Sequence, residues 1–415
     1  MSDSNGRTIR LIAAGLVIAF LATPAMAGET PELSPLATEG PKPEPIEPPS
    51  SEQIAESIRR GVDFLIADQN SDGSWGSAQR TKDLNIYAPV PGAHHAFRSG
   101  VTGLCVMSLI EADDPREQAR DAQRRGEQWL MENLPALRRA NGDALYNVWG
   151  HAYGIQALVR MYRHTDDQQR RESVRELLAQ QVDLLKRYHV VDGGWGYYDF
   201  VAETKQPSGS SSSFTTATVL IALHEAASLG VDIPEKMVGA AVAAVQRQRK
   251  PDFSYMYGEY LKWQPFHPIN RPGGSLGRSQ VCNLALRLYG DEKVTDEVVA
   301  TWLNRLFARN GWLSIGRKRP VPHESYFAVA GYFYYYGHFY AAHCIELLPS
   351  DQRPHFQQHL AHILIPLQEK DGSWWDYPLY NYHQQYGTAM AIMSLVRCRS
   401  DAPTETATPE SATAR

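Results

Sequence analysis

Between residues 51 and 399 the chain alternates two kinds of helix-forming segment, six times over. Segments at 51–70, 116–134, 167–189, 234–250, 295–312 and 353–370 are amphipathic, charged on one side as in Arg170, Arg171, Glu172, Arg175 and Glu176. Each is followed by an almost uncharged segment rich in Ala, Gly, Ser, Thr and Tyr, at 98–112, 146–163, 214–230, 276–290, 325–348 and 382–398. FTTATVLIALHEAASLG, from Phe214, is representative. A one-sided helix lies between core and water, whereas a helix apolar all round is buried. Six outer and six inner helices without a capping repeat predict a closed ring, an all-α α6/α6 toroid, rather than an open solenoid.

The loops support that reading. Asp72-Gly73-Ser74-Trp75-Gly76, Asp192-Gly193-Gly194-Trp195-Gly196 and Asp371-Gly372-Ser373-Trp374-Trp375 all fall where an outer helix gives way to the next inner one. Asp-Gly stops a helix, with Gly supplying the left-handed conformation. The Trp is then placed to plug the gap between hairpins. Asn310-Gly311-Trp312 and Pro251-Asp252-Phe253 echo the pattern.

The two ends read differently. Arg7 and Arg10, an apolar run from Leu11 to Ala22 and Ala25-Met26-Ala27 give residues 1–27 the form of an export signal. That run falls short of the roughly 20 residues a membrane span needs, and no later segment approaches one. Residues 28–50 carry seven prolines and predict an extended, unpacked linker. The toroid occupies 51–399, and 400–415 is a Thr/Ala/Pro/Glu-rich tail expected to be disordered. Cys105, Cys282, Cys344 and Cys398 lie inside apolar helical patterns and read as buried free thiols. A net charge of −5 offers no basic face for nucleic acid.

Gln69…Asp72-Gly73-Ser74-Trp75-Gly76 and Gln368…Asp371-Gly372-Ser373-Trp374 resemble the QW repeats of squalene–hopene cyclases and protein prenyltransferase β-subunits. Within that superfamily the chain looks most like the exported prenyltransferase/squalene-oxidase-repeat proteins, to which Tyr332-Phe333-Tyr334-Tyr335-Tyr336 also points. The resemblance implies a central apolar cavity suited to an isoprenoid.

The chemistry of those relatives does not carry over intact. Glu111-Ala112-Asp113-Asp114 is the nearest string to a cyclase acid motif, but it precedes Pro115 at the bend after an inner segment. Thr165-Asp166-Asp167 occupies the equivalent bend, so both read as surface loop acids. The prenyltransferase resemblance would put Cys282 and His383 at zinc-ligand positions, with Gln280 where a carboxylate belongs. Two ligands are one short of a catalytic set, so no cofactor is expected. His94-His95 is placed in a loop before the first inner helix, and His338 and His343 point to different faces of theirs. Asp199, among the aromatics of Trp195-Gly196-Tyr197-Tyr198-Asp199, is the candidate pocket acid. A loop acid satisfied by backbone amides is the alternative reading.

In such a ring the inner helices run parallel, and their N-termini converge on one mouth with partial positive charge. Trp149, Tyr153, Trp195, Tyr198, Tyr326, Tyr382 and Tyr386, with Arg278 on a cationic rim, are the candidate ligand-binding residues. Together they would suit an apolar small molecule, and the resemblance implies an isoprenoid. A non-enzymatic module binding a protein partner or a glycan is the competing reading. A carbohydrate-active ring would need paired carboxylates in the cavity, and the inner segments offer only Glu111, Glu225 and Glu346, all toward their C-terminal ends.

Overall fold

The computed structural model describes residues 33–86, 88, 92–137, 146–197, 210–264, 266–324, 326 and 328–399. The export signal, the whole tail 400–415, Tyr198 and Asp199 lie outside the described residues. Twelve long helices follow one another: α1 Ser51–Ala67, α2 Gly92–Ala112, α3 Glu117–Asn133, α4 Asn147–His164, α5 Gln168–Lys186 and α6 Ser213–Ala227. They continue as α7 Glu235–Arg247, α8 Pro272–Leu288, α9 Asp296–Ala308, α10 Tyr334–Leu347, α11 Arg353–Leu364 and α12 His383–Val396. Among the described residues there is no β-strand, only isolated bridges.

The odd helices are the amphipathic ones, burying one stripe, such as Ile54, Ile58, Val62 and Leu65 of α1. The even helices are buried almost throughout. Each even helix packs on the next, and α12 packs on α2, so the inner ring closes on itself. The α6/α6 toroid is therefore the observed fold.

The three Asp-Gly turns are built alike. Indole Nε1 of Trp75, Trp195 and Trp374 donates to the carbonyls of Leu65, Leu185 and Leu364 at 2.8, 2.9 and 2.9 Å. The same three residues donate backbone N–H to Thr102, Thr216 and Thr388 at 3.1, 3.0 and 2.9 Å. Each Trp thus ties the end of an outer helix to the following inner helix. Gln69 and Gln368 add a tie to the next outer layer, donating to Ala122 and Ser57 carbonyls at 2.8 and 2.9 Å. Gly372 sits at φ +91°, where a Cβ would come within 2.3 Å of the Arg60 carbonyl, so the turn requires glycine twice over. The echoes differ. Phe253 is buried with φ +60°, whereas Trp312 is exposed, with Arg309 over its ring.

Two segments depart from the sequence reading. Residues 34–40, expected within an unpacked linker, include a helical turn, Pro35–Thr38, with Pro at its first position. It docks on α9, where Arg305 donates to the Leu36 and Glu39 carbonyls at 2.6 and 2.7 Å and Thr301 to Thr38 at 3.0 Å. The fifth inner helix begins only at Tyr334. Before it, His323 and Ala328 take left-handed φ values, and the chain folds into a loop over the ring's mouth.

Candidate functional site

The first turns of the inner helices enclose a cavity of about 320 Å³. Its wall is aromatic. Phe97 comes from α2, Trp149 and Tyr153 from α4, Phe214 from α6, Tyr336 from α10 and Tyr386 from α12, while Tyr197, Tyr257, Tyr332 and Tyr377 come from the loops above. Leu104 and Met390 add apolar surface one to two turns deeper. The rings interlock: Trp149 stacks on Tyr153 at 6.0 Å and on Phe214 at 6.1 Å, and meets Tyr336 edge-on at 6.3 Å. No carboxylate is among the described lining residues.

Helix α8 contributes nothing to the described wall. Gly277 allows α10 so close that a Cβ there would lie 2.6 Å from the Phe333 carbonyl, and Phe333 covers α8. Arg278 is sealed behind it. Expected on a solvated rim, it is instead fully buried, donating to the Gly274 and Ile269 carbonyls at 2.6 and 2.7 Å. Its guanidinium lies 5.3 Å from the ring centres of both Tyr257 and Phe333. Burial pulls its pKa down, and the cation–π contacts from two cavity-wall rings compensate.

One polar arc crosses the mouth. His323 Nδ1 faces the Ala328 carbonyl at 2.9 Å, which makes that nitrogen the donor. Nε2 is then the acceptor, and Tyr332 Oη, 3.0 Å away, donates to it. Tyr332 Oη in turn lies 3.5 Å from Tyr257 Oη, which contacts Tyr197 Oη. Burial, with Arg278 assisting, lowers the His323 pKa to about 4 and keeps the ring neutral.

Beside the cavity lies a residue that the sequence reading passed over by one position. Asp376, just after Asp371-Gly372-Ser373-Trp374-Trp375, is fully buried. Its carboxylate accepts the Tyr335 N–H at 2.9 Å and the hydroxyl of cavity-lining Tyr386. Desolvation outweighs those bonds and raises its pKa to about 7.

Below Tyr153 and Tyr336 the ring is filled. Tyr336 Oη lies 2.8 Å from Thr218 Oγ1 and donates to the Phe214 carbonyl at 3.1 Å. Tyr340 Oη contacts Thr218 at 3.5 Å. At the C-terminal ends of the inner helices, Arg160 pairs with Glu111 at 3.1 Å and with Glu225. Arg397 pairs with Glu111 and, at 3.2 Å, with Glu346, which also meets His343 at 3.1 Å. The acids noted on the inner segments are therefore consumed by ion pairs, far from the mouth.

Of the candidate residues, Trp149, Tyr153 and Tyr386 line the cavity. Trp195 is the buried indole of a turn. Tyr382 is buried behind the wall, its hydroxyl 3.1 Å from His94 Nδ1. Tyr326 is largely exposed and holds Arg271 over its ring at 4.0 Å. His94 and His95 lie within α2 rather than in a loop. Asp114 is bound by Arg116 at 2.6 Å, and Asp167 caps α5, as suits bend acids.

The structure gives Cys282 and His383 no third ligand: no group of three His, Cys, Asp or Glu side chains gathers among the described residues. His383 Nδ1 contacts the Tyr380 carbonyl at 2.7 Å, and burial lowers its pKa to about 4. All four cysteines are buried and unpaired. Burial pushes Cys282 up to about 12, so it is a thiol rather than a thiolate.

Fold and cavity together define the class: a closed α/α toroid with an aromatic, apolar pocket where its inner helices begin. Residues 46–256 match the squalene-hopene cyclase C-terminal domain, and the chain belongs to that family. Solved toroids share the fold at low identity. A D-mannose isomerase aligns at 12% identity and TM-score 0.52, over 84% of this chain and 97% of that one. An α-amylase from Clostridium perfringens aligns at 11% and 0.51, over 83% and 97%. An inactive α-1,6-mannanase variant from Salegentibacter sp. HEL1_6, in complex with α-1,6-mannotriose, aligns at 11% and 0.51, over 83% and 98%. No described helix is long and apolar enough to cross a membrane.

Proposed function

We propose that the protein is exported and that its cavity holds an isoprenoid or a comparably apolar chain. The observation that carries this reading is the wall itself, an aromatic enclosure of about 320 Å³ without a described carboxylate. Such a surface gains by excluding water from an apolar ligand, at about 25 cal/mol per Å² buried. The Tyr257–Tyr332–His323 arc offers a neutral polar end-stop at the mouth, so the ligand's polar end would face outward.

A glycan is the alternative that the shared fold of the mannanase and amylase keeps in view. Aromatic stacking would serve a sugar ring, but hydrolysis would require two carboxylates flanking it. Asp376 stands behind Tyr386 rather than in the wall. The test is native mass spectrometry of the full chain produced in an exporting host, with solvent extraction of the same sample. A co-purified isoprenoid, released by solvent, is the expected result. A bound oligosaccharide, or binding of oligosaccharides but no prenyl chain on titration, would replace the reading.

A further inference from the structure

We infer that the cavity is measured for a single chain of roughly twelve to fifteen carbon atoms and closes to one twice as long; this rests on the apolar-chain reading above. The argument is volumetric. A cavity of about 150 Å³ lined by apolar side chains accepts one benzene, six carbons. The space here, about 320 Å³, therefore takes roughly twice that number, or a little more for a chain threading its length.

The limit is built, not incidental. The cavity takes up only the mouth half of the ring, because the inner helices change character one to two turns in. Leu104, Tyr153, Tyr336 and Met390 form its floor. Behind Tyr336 the Thr218 hydroxyl ties the floor to α6 and Tyr340. Beneath that, the carboxylates and guanidinia of Glu111, Arg160, Glu225 and Arg397 bridge α2, α4, α6 and α12. A longer chain would have to push ring hydroxyls off their partners and then approach largely sequestered ion pairs, or leave its surplus in water at the mouth. Either way the surplus carbons bring no apolar burial.

The test is a titration of the full chain, followed by native mass spectrometry, with linear isoprenoid alcohols of ten, fifteen and twenty carbons, with unbranched alcohols of the same lengths, and with squalene at thirty. Affinity is expected to rise at least ten-fold from ten to fifteen carbons and to gain nothing beyond. Met390→Ala and Tyr336→Ala, two independent ways to deepen the floor, should restore at least a five-fold gain from fifteen to twenty carbons in whichever variant folds. Continued gain through twenty carbons to squalene in the unaltered chain would overturn the length limit and leave the isoprenoid reading standing. Straight-chain alcohols bound with the same cut-off, in place of isoprenoids, would support the limit while overturning the isoprenoid identity. Binding by none of these chains would remove both.

Discussion

The two ends of the inner ring are made from the same six helices and behave as opposites. At the N-terminal end the helices present rings, and Arg278 is buried behind them. At the C-terminal end the same helices present Glu111, Arg160, Glu225, Glu346 and Arg397, paired across the axis. Helix geometry explains part of the division, since cations favour helix C-termini and Arg397 stands at the C-cap of α12. The lesson is that a toroid is not a tube. One end is closed by electrostatics, and the other is left open by the shape of aromatic side chains.

The largest expected effect breaks the closed end. Arg397→Ala removes the cation that Glu111 and Glu346 share, leaving Glu111 to Arg160 and Glu346 to His343. Removing one partner of a fully buried ion pair typically costs about 3–5 kcal/mol, and because Glu346 is 41% exposed the loss here should lie at the lower end, about 3 kcal/mol. Urea denaturation should show that loss, whereas a shift below 1 kcal/mol would mean that the floor is held by packing alone.

The next prediction sets the ends against each other through pH. Arg397 and Arg160 hold Glu111 down at about 2, and Arg397 with His343 does the same for Glu346, in both cases against desolvation. Their folded-state pKa values lie below the unfolded ones. The stability they confer is present above pH 4.5 and is lost as pH falls through 2. Asp376 has the opposite sign. Desolvation raises it to about 7, so its contribution is full below pH 3.8 and is lost as pH rises through 7. Asp376→Asn, always neutral, should remove that alkaline loss, worth up to about 4 kcal/mol between pH 4 and pH 8. Parallel pH–stability curves for the two proteins would place Asp376 in a wetter setting than its burial indicates.

How much of this was legible in the sequence follows from periodicity. The hairpins were, because charge on one side and none on the other is written in every helix pair, and Trp75, Trp195 and Trp374 sit at the same turn in three of them. The cavity was only partly legible. Trp149, Tyr153 and Tyr386 fall on inner helices at the mouth, where a periodic reading finds them. Tyr257, His323 and Tyr332 come from loops whose path depends on left-handed residues and on Gly277, and no helical period encodes that path. Arg278 was misplaced for a related reason. A charge on an inner helix suggests a rim until the close approach of α8 and α10 is known.

Trp374→Phe tests the turn that the repeats have in common. It retains most of the ring and deletes the indole N–H bonded at 2.9 Å to the Leu364 carbonyl, at the end of α11. Losing that bond and leaving the carbonyl unsatisfied should cost about 2 kcal/mol, read from thermal or urea unfolding. The same change at Trp195 should cost a similar amount, because Leu185 is held in the same way. Unequal losses would show that the turns are alike in geometry but not in energetics.

The smallest effect lies at the mouth and concerns a proton rather than the fold. Tyr332→Phe keeps the ring against Phe333 and removes the hydroxyl that donates to His323 Nε2. Stability should fall by only about 1 kcal/mol. A hydrogen bond to the neutral imidazole opposes its protonation, so without it the His323 pKa should climb from about 4 toward its ordinary value. Burial and the guanidinium of Arg278 still oppose the charged ring, so the climb should stop well short of 6.5. NMR titration of the imidazole C–H resonances reads this directly. An unmoved pKa would assign the neutrality of the mouth to burial and Arg278 alone, and the hydroxyl arc would then be a packing feature rather than the polar end of a binding site.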